Sequence, residues 1–364
     1  MRPLSLYIHV PFCTRRCSYC SFYHVPKERE RERAFVDALV DEIAVAFAEI
    51  GPVSLRTVFV GGGTPTVLER HEWERVLAAI APFFPHEGVE EFTVEMNPED
   101  VDARVVDFLR GLGVNRASLG IQSMDAVGQK VLKRCEPEVN ERAIDIVRDR
   151  FDNVSFDVLL GVPKTTVDDL FATLRGLLAK APNHLSVYGL EPGGDMGDEV
   201  ERFFRAVDPD RVADEYLEAC SILAGAGYHH YEVSNFARPG FESRHNRVYW
   251  DGDDYLGVGP AAHSSIGGER FANAPSIDAY VARWGREHLA ARLRDAGGDE
   301  RLESAMLALR TDRGIAREAC ETRAVEDIID DGLAIVEKGR IRLTDRGYLV
   351  LNDVVLRLVS KTPC

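Results

Sequence analysis

Short runs of β-branched and other apolar residues alternate, along the first part of the chain, with longer stretches whose apolar residues recur every three or four positions. The first pattern reads as strand and the second as amphipathic helix; their alternation is that of a parallel sheet wound with helices. Strands are predicted at residues 6–10, 57–60, 92–96, 116–121, 155–160 and 185–190. Helices are predicted near 28–50, 71–82, 101–111, 125–149, 167–180 and 210–226. Six β/α units in a row favour a barrel-like sheet over a flat dinucleotide-binding sheet, whose first turn carries GxGxxG. Here the first turn carries cysteines.

The alternation breaks down from about residue 229. YEVSNFARPGFESRHNRVYW and YLGVGPAAHSSIGG read as ordered loops or short strands, because they are too rich in aromatic and apolar residues for disorder. The charged, Gly-containing segment 292–301 is the best domain boundary. Beyond it, helices near 301–310, 315–320 and 324–338, a strand at 339–344 and a helix from Asp345 to about Ser360 resemble a winged-helix module. Such a module is often only a docking lid, and this one is not basic enough to argue for DNA.

Charge narrows the partners. The 364 residues carry a formal net charge of −16, which argues against a broad nucleic-acid face and against a polybasic membrane patch. No nucleic acid and at most transient membrane contact are expected. MRPLSLYIHV lacks the core and cleavage site of a signal peptide, and no run approaches the roughly 18 apolar residues of a membrane span. Seven cysteines, three of them within eight positions, fit a metal site in a reducing compartment better than a disulfide framework. The expected location is the cytoplasm.

Those three, Cys13, Cys17 and Cys20, form CxxxCxxC directly after the first strand. Three thiolates can hold three irons of a cubane and leave the fourth open to an exogenous ligand. Arg15 and Arg16 can offset part of the negative charge. A Cys₃His zinc site, completed by His24 or His9, is the alternative; the spacing alone leaves both open. The other cysteines, Cys135, Cys220, Cys320 and Cys364, share no spacing and read as buried small hydrophobes.

Polar signals follow at successive strand ends. GGGTP (Gly61 to Pro65) lets the backbone approach a ligand, and Glu95, Gln122 and Asp157 close the third, fourth and fifth units. In a parallel barrel the strand ends share one face, so Glu95, Gln122 and the glycine loop would meet the cysteine loop at one mouth, with Asp157 below the rim. Arg134, on the following helix, suits a carboxylate partner.

YxHxPFCxxxCxYCxF resembles the cluster loop of the radical S-adenosylmethionine superfamily, in its coproporphyrinogen dehydrogenase and haem chaperone branch. The resemblance implies a partial (β/α)6 barrel with a smaller C-terminal α+β module, divided here as 1–236 for the barrel, 237–296 for an extension closing its mouth and 297–364 for the module. It implies a [4Fe–4S] cluster on Cys13, Cys17 and Cys20 and S-adenosylmethionine at the open iron. Tyr7 is similar to a family tyrosine at that site, and the loop aromatics Tyr19 and Phe22 would flank the adenosine. Gly62, Gly63 and Thr64 would contact the methionine amino group and Arg134 its carboxylate. Gln122 and Asp157 would bind the ribose, with Glu95 beside them.

Within the branch, two departures count against the dehydrogenase: Phe22 stands where its loop continues CxxCxC, and only about five residues precede the first strand, where it has a long N-terminal arm. GVPKTT also departs from the usual GLPGQT, with Lys164 in place of a glycine. HNRVYW (His245 to Trp250) matches the HNxxYW signature of the haem chaperone sub-branch, with His245 the expected haem contact; His263 and the pair His229–His230 are further candidates. A haem chaperone passing haem to acceptor haemoproteins, such as respiratory enzymes, and drawing on an electron donor for its cluster is the leading expectation. A coproporphyrinogen dehydrogenase-like enzyme is the alternative.

Overall fold

The computed structural model describes residues 1–189, 205–283, 293–294 and 298–359. All six predicted strands form: β1 (Arg2–Val10), β2 (Val53–Gly62), β3 (Glu91–Met96), β4 (Arg116–Gln122), β5 (Val154–Leu160) and β6 (His184–Gly189). Among their helices are α1 (Arg29–Ile50), α2 (Arg70–Ile80) and α3 (Ala103–Gly111). The strands pair in chain order, every pair parallel. Because the order never reverses, right-handed crossovers put the helices on one face and curl the sheet, as in a barrel and unlike a dinucleotide fold.

One face of each strand is apolar. Leu4, Leu6, Ile8 and Val10 of β1, Val58 and Val60 of β2, and Ala117, Leu119 and Ile121 of β4 are buried beneath the helices. The residues between them point the other way, and these include Ser5, Tyr7, His9, Thr57, Glu95, Arg116, Ser118 and Asp157. Parallel strands buried on both faces are usually apolar throughout. Here the concave face is polar along its length.

The single helix predicted over 125–149 is two. α4 (Ala126–Leu132) stops where Lys133 takes a left-handed φ of 56°, and Pro137 opens α5 (Pro137–Arg148). Arg134 therefore lies in a break, not on a helix. Two further helices, α6 (Val167–Ala179) and α7 (Pro209–Gly225), complete the outer layer.

β7 (His229–Glu232) and β8 (Asn235–Ala237) add antiparallel strands beyond β6. HNRVYW, expected in a loop or short strand, lies in α8 (Arg244–Asp251), which Ser243 caps through the Asn246 N–H and Gly252 ends at φ 70°. β9 (Tyr255–Val258) then joins the opposite edge of the same sheet, parallel to β1, and β10 (His263–Ile266) and β11 (Glu269–Ala272) continue it. α9 (Ile277–Arg283) follows.

The C-terminal module holds α10 (Glu300–Leu309), α11 (Thr322–Asp330), β12 (Ala334–Glu337), β13 (Arg340–Leu343), α12 (Asp345–Leu349) and α13 (Leu351–Val359). The helix predicted over 324–338 ends at Asp330, since Gly332 turns the chain at φ 70° and residues 334–337 pair as a strand. Residues 315–320, also predicted helical, are a short strand and a 3₁₀ turn. Part of the predicted boundary at 292–301, Leu190 at the end of the sixth predicted strand, Ser360 and Cys364 lie outside the described residues. No helix among the described residues is long and apolar enough to cross a membrane.

Candidate functional site

The cysteine loop is fixed from three sides. Phe12–Cys13 pairs with Val25–Pro26. Ser18 bonds through its N–H to the Leu132 carbonyl (3.2 Å) and through its hydroxyl to Val131 (2.8 Å), at the end of α4. On the third side, the glycine loop donates from Gly63 N to Val10 O (2.8 Å) and from Thr64 N to Phe12 O (2.7 Å). A Cβ on Gly63 would stand 2.6 Å from the Phe12 oxygen, so glycine is required there to bring the two loops together. That contact is with the protein's own backbone.

Cys13, Cys17 and Cys20 line a cavity of about 310 Å³ at the C-terminal ends of the strands, with Tyr19, Phe22, Gly62, Gly63, Glu95, Gln122, Arg134 and Asp157. That volume is at the small end of the ~300–1,000 Å³ typical of ligand pockets. The three cysteines come from one loop and face the same cavity, as three protein ligands of a cubane must. His9, one proposed zinc ligand, has both nitrogens engaged, by the Tyr7 hydroxyl (3.0 Å) and the Tyr23 carbonyl (2.9 Å). His24 lies 3.9 Å from Cys20 Sγ and 2.8 Å from the Phe22 carbonyl. Three thiols on one cavity, with His9 engaged elsewhere, are a donor set that a cluster with three protein ligands can use.

Burial, helped by a neighbouring thiolate, pushes Cys13 to about 11 and Cys20 to about 12. Such thiols stay protonated at neutral pH unless metal displaces the proton. Arg134 donates to Cys17 Sγ (3.6 Å), to Asn97 Oδ1 (2.7 Å) and to the Gly120 carbonyl. The helix break gives it this reach. Asn97 in turn donates to the Thr64 hydroxyl (2.6 Å), which donates to Cys13 Sγ (3.5 Å). Asn97 was not singled out from the sequence, although it directly follows Glu95-Met96 in EMNP; Tyr188 and Ser118, which also line the cavity, were likewise missed.

Glu95 accepts the Gly62 N–H (3.1 Å) and lies near Asp157. Burial and then the Asp157 charge raise Glu95 to about 7; burial raises Asp157 to about 6. Gln122 reaches the rim through a bulge: the β4–β5 register slips between Gly120 and Gln122, and Gln122 holds φ 68°. Bulges beside sites turn a side chain toward its target. Tyr7 and Thr64 do not line the cavity but stand close behind it, Tyr7 near Glu95 and Thr64 on Cys13. Phe22 lines it while remaining 66 % exposed.

His245, the expected haem contact, is enclosed in this structure. It is fully buried, its Nδ1 bonded to the Thr57 hydroxyl (2.8 Å) and its Nε2 to the Tyr249 hydroxyl (2.8 Å). Burial, with Arg116 nearby, lowers its pKa to about 3. A haem iron would need one of those nitrogens and a path to it; the residue instead fastens α8 to the sheet. Two residues of the same helix face the C-terminal module: Arg310 lies over the Trp250 ring (4.5 Å) and Arg247 pairs with Asp312 (3.4 Å). Of the other histidines, His229 meets Asp312 (3.3 Å), and His263 is exposed on β10.

A curled parallel sheet with three cysteines after its first strand defines the class as radical S-adenosylmethionine protein, and the Radical SAM superfamily model matches residues 7–177. The chain is 32 % identical to the heme chaperone HemW of Lactococcus lactis, over 97 % of this chain and 96 % of that protein. It is 32 % identical to the Mycobacterium tuberculosis HemW, covering 99 % and 95 %. It is also 32 % identical to the mitochondrial radical S-adenosyl methionine domain-containing protein 1 of Mus musculus, covering 98 % and 87 %. The chain belongs to the radical SAM superfamily, in the family of the heme chaperone HemW. The fold matches that of coproporphyrinogen III oxidase HemN from Escherichia coli with TM-score 0.83 and 23 % identity, over 98 % of this chain and 90 % of that one. Membership implies the [4Fe–4S] cluster and S-adenosylmethionine as cofactors of the family.

Proposed function

We propose that this chain is a haem chaperone, which binds haem and hands it to acceptor haemoproteins while carrying a [4Fe–4S] cluster on Cys13, Cys17 and Cys20 with S-adenosylmethionine at its open iron. The observation that carries the cofactor half is the set of three half-buried thiols from one loop, all lining one cavity with Arg134, which donates to Cys17. The family's chaperone names and near-complete mutual coverage support the haem half.

When bound and reduced, the cluster supplies one-electron chemistry to the sulfonium of adenosylmethionine. The chain's own residues do the positioning. Arg134, held by Asn97 and Gly120, balances thiolate charge and presents a guanidinium to the ligand carboxylate. Gly62 and Gly63 expose backbone at the amino end, Tyr19 and Phe22 give the adenine flat apolar surface, and Gln122, Asp157 and Glu95 supply partners for the ribose. An electron donor protein for the cluster and respiratory haemoproteins as acceptors belong to the same reading, as does a cytoplasmic location with at most passing membrane contact. No nucleic-acid partner belongs to it.

Incubating cluster-loaded protein with haemin and an apo-haemoprotein tests this directly. Haem should pass to the acceptor, and the same protein given reductant, adenosylmethionine and coproporphyrinogen should yield no protoporphyrinogen. Protoporphyrinogen formation without haem transfer would replace the chaperone by the dehydrogenase.

A further inference from the structure

Outside the cavity, the described residues hold one group of three metal-ligating side chains whose donor atoms lie within 4.8 Å of one another: Cys220, His230 and Asp345. They come from three elements, α7, β7 and the first residue of α12 in the C-terminal module. His230 Nδ1 is 2.9 Å from Asp345 Oδ1 and 4.0 Å from Cys220 Sγ.

The imidazole tautomer follows from its other nitrogen. Tyr216 gives its only hydroxyl hydrogen to the Val233 carbonyl (2.7 Å). His230 Nε2 faces that same carbonyl (3.4 Å) and the Tyr216 oxygen (3.3 Å). Both are acceptors, so Nε2 carries hydrogen. With Nε2 carrying hydrogen, Nδ1 meets the carboxylate either through a second proton or through a shared cation. A nucleophilic triad is excluded, because acid and thiol approach the same nitrogen, whereas a triad uses opposite ones.

We propose that Cys220, His230 and Asp345 form a second metal site, for a divalent cation of the zinc class, that ties the C-terminal module to the barrel. Thiolate, imidazole and carboxylate are the donors zinc takes, and tetrahedral bonds of ~2.0–2.3 Å put donors roughly 3.3–3.7 Å apart, between the two distances found here. Tyr216 and Val233 are the outer partners that fix the ring for binding, and Phe236 stacks on its face at 4.1 Å. Asp345, with its side chain about half exposed, provides the open side from which the ion enters.

The test uses full-length, cluster-loaded protein equilibrated with buffered zinc, desalted and assayed for zinc and iron separately. Wild type should retain one zinc per chain that Cys220→Ser and Asp345→Asn lose at least tenfold, with iron content unchanged. Zinc should also slow amide exchange in residues 345–359 of wild type but not of Asp345→Asn, whose exposed position leaves folding intact. Equal zinc in all three proteins, with exchange indifferent to zinc, would overturn the proposal and leave a plain hydrogen bond between His230 and Asp345.

Discussion

Gln122 and Lys164 both hold left-handed backbone, φ 68°, without being glycine. For Gln122 the strain sits at the cavity rim, where it directs an amide inward. The φ of Lys164 is one that glycine adopts without strain. Lys164→Gly should raise stability by up to about 1 kcal/mol, read as a higher urea midpoint at unchanged slope. His245→Ala removes two buried hydrogen bonds and a packed ring, so a loss of about 2–4 kcal/mol is expected. Haemin titration of the folded fraction should match wild type; weakened haem binding at unchanged stability would restore His245 as a contact. Glu95 and Asp157 make a third case. Their folded pKa values, about 7 and 6, lie above the ordinary 4.5 and 3.8, so the native state holds protons that the unfolded chain has lost. Cluster-free protein should therefore lose stability as pH rises from about 4 to 7, and Glu95→Gln should flatten that slope in urea unfolding.

Elements carry the next layer. Gly63→Ala puts a methyl against the backbone that holds Cys13, so cluster iron should fall several-fold while far-UV circular dichroism stays native. The strands, the cysteine loop, GGGTP and the strand-end polar residues were legible because each depends on local pattern. Glu95, Gln122 and Asp157 meet at one cavity since parallel strands end on one face. The break at Lys133–Glu136 was not legible, because helical periodicity runs on through it; only Pro137 marked it. Nor was α8 legible in HNRVYW, whose aromatics mask an amphipathic helix with His245 inward and Trp250 toward the module. Asn97 was missed since a lone amide after a strand has no distinctive spacing.

Across the molecule, a polar concave face and an apolar convex one divide the labour of the sheet: helices stabilise it from outside, and the inside is left for chemistry. The C-terminal module is held to the barrel by α8 and the β7–β8 turn, through Val233 N to Arg310 O (2.9 Å), Asp312 N to Tyr231 O (3.0 Å), the ion pair of Asp312 with Arg247 and its contact with His229. Asp312→Ala should loosen this docking by about 1–3 kcal/mol, seen as faster amide exchange over residues 298–359 with the cluster spectrum unchanged. The most direct measurement for the whole account is iron and sulfide content after anaerobic reconstitution of wild type and Cys17→Ser. About four irons and four sulfides per chain in wild type, lost in the variant, with an electron paramagnetic resonance signal that shifts on adding adenosylmethionine, is the expected result. A stoichiometric zinc at Cys13, Cys17 and Cys20, with no iron taken up, would contradict it.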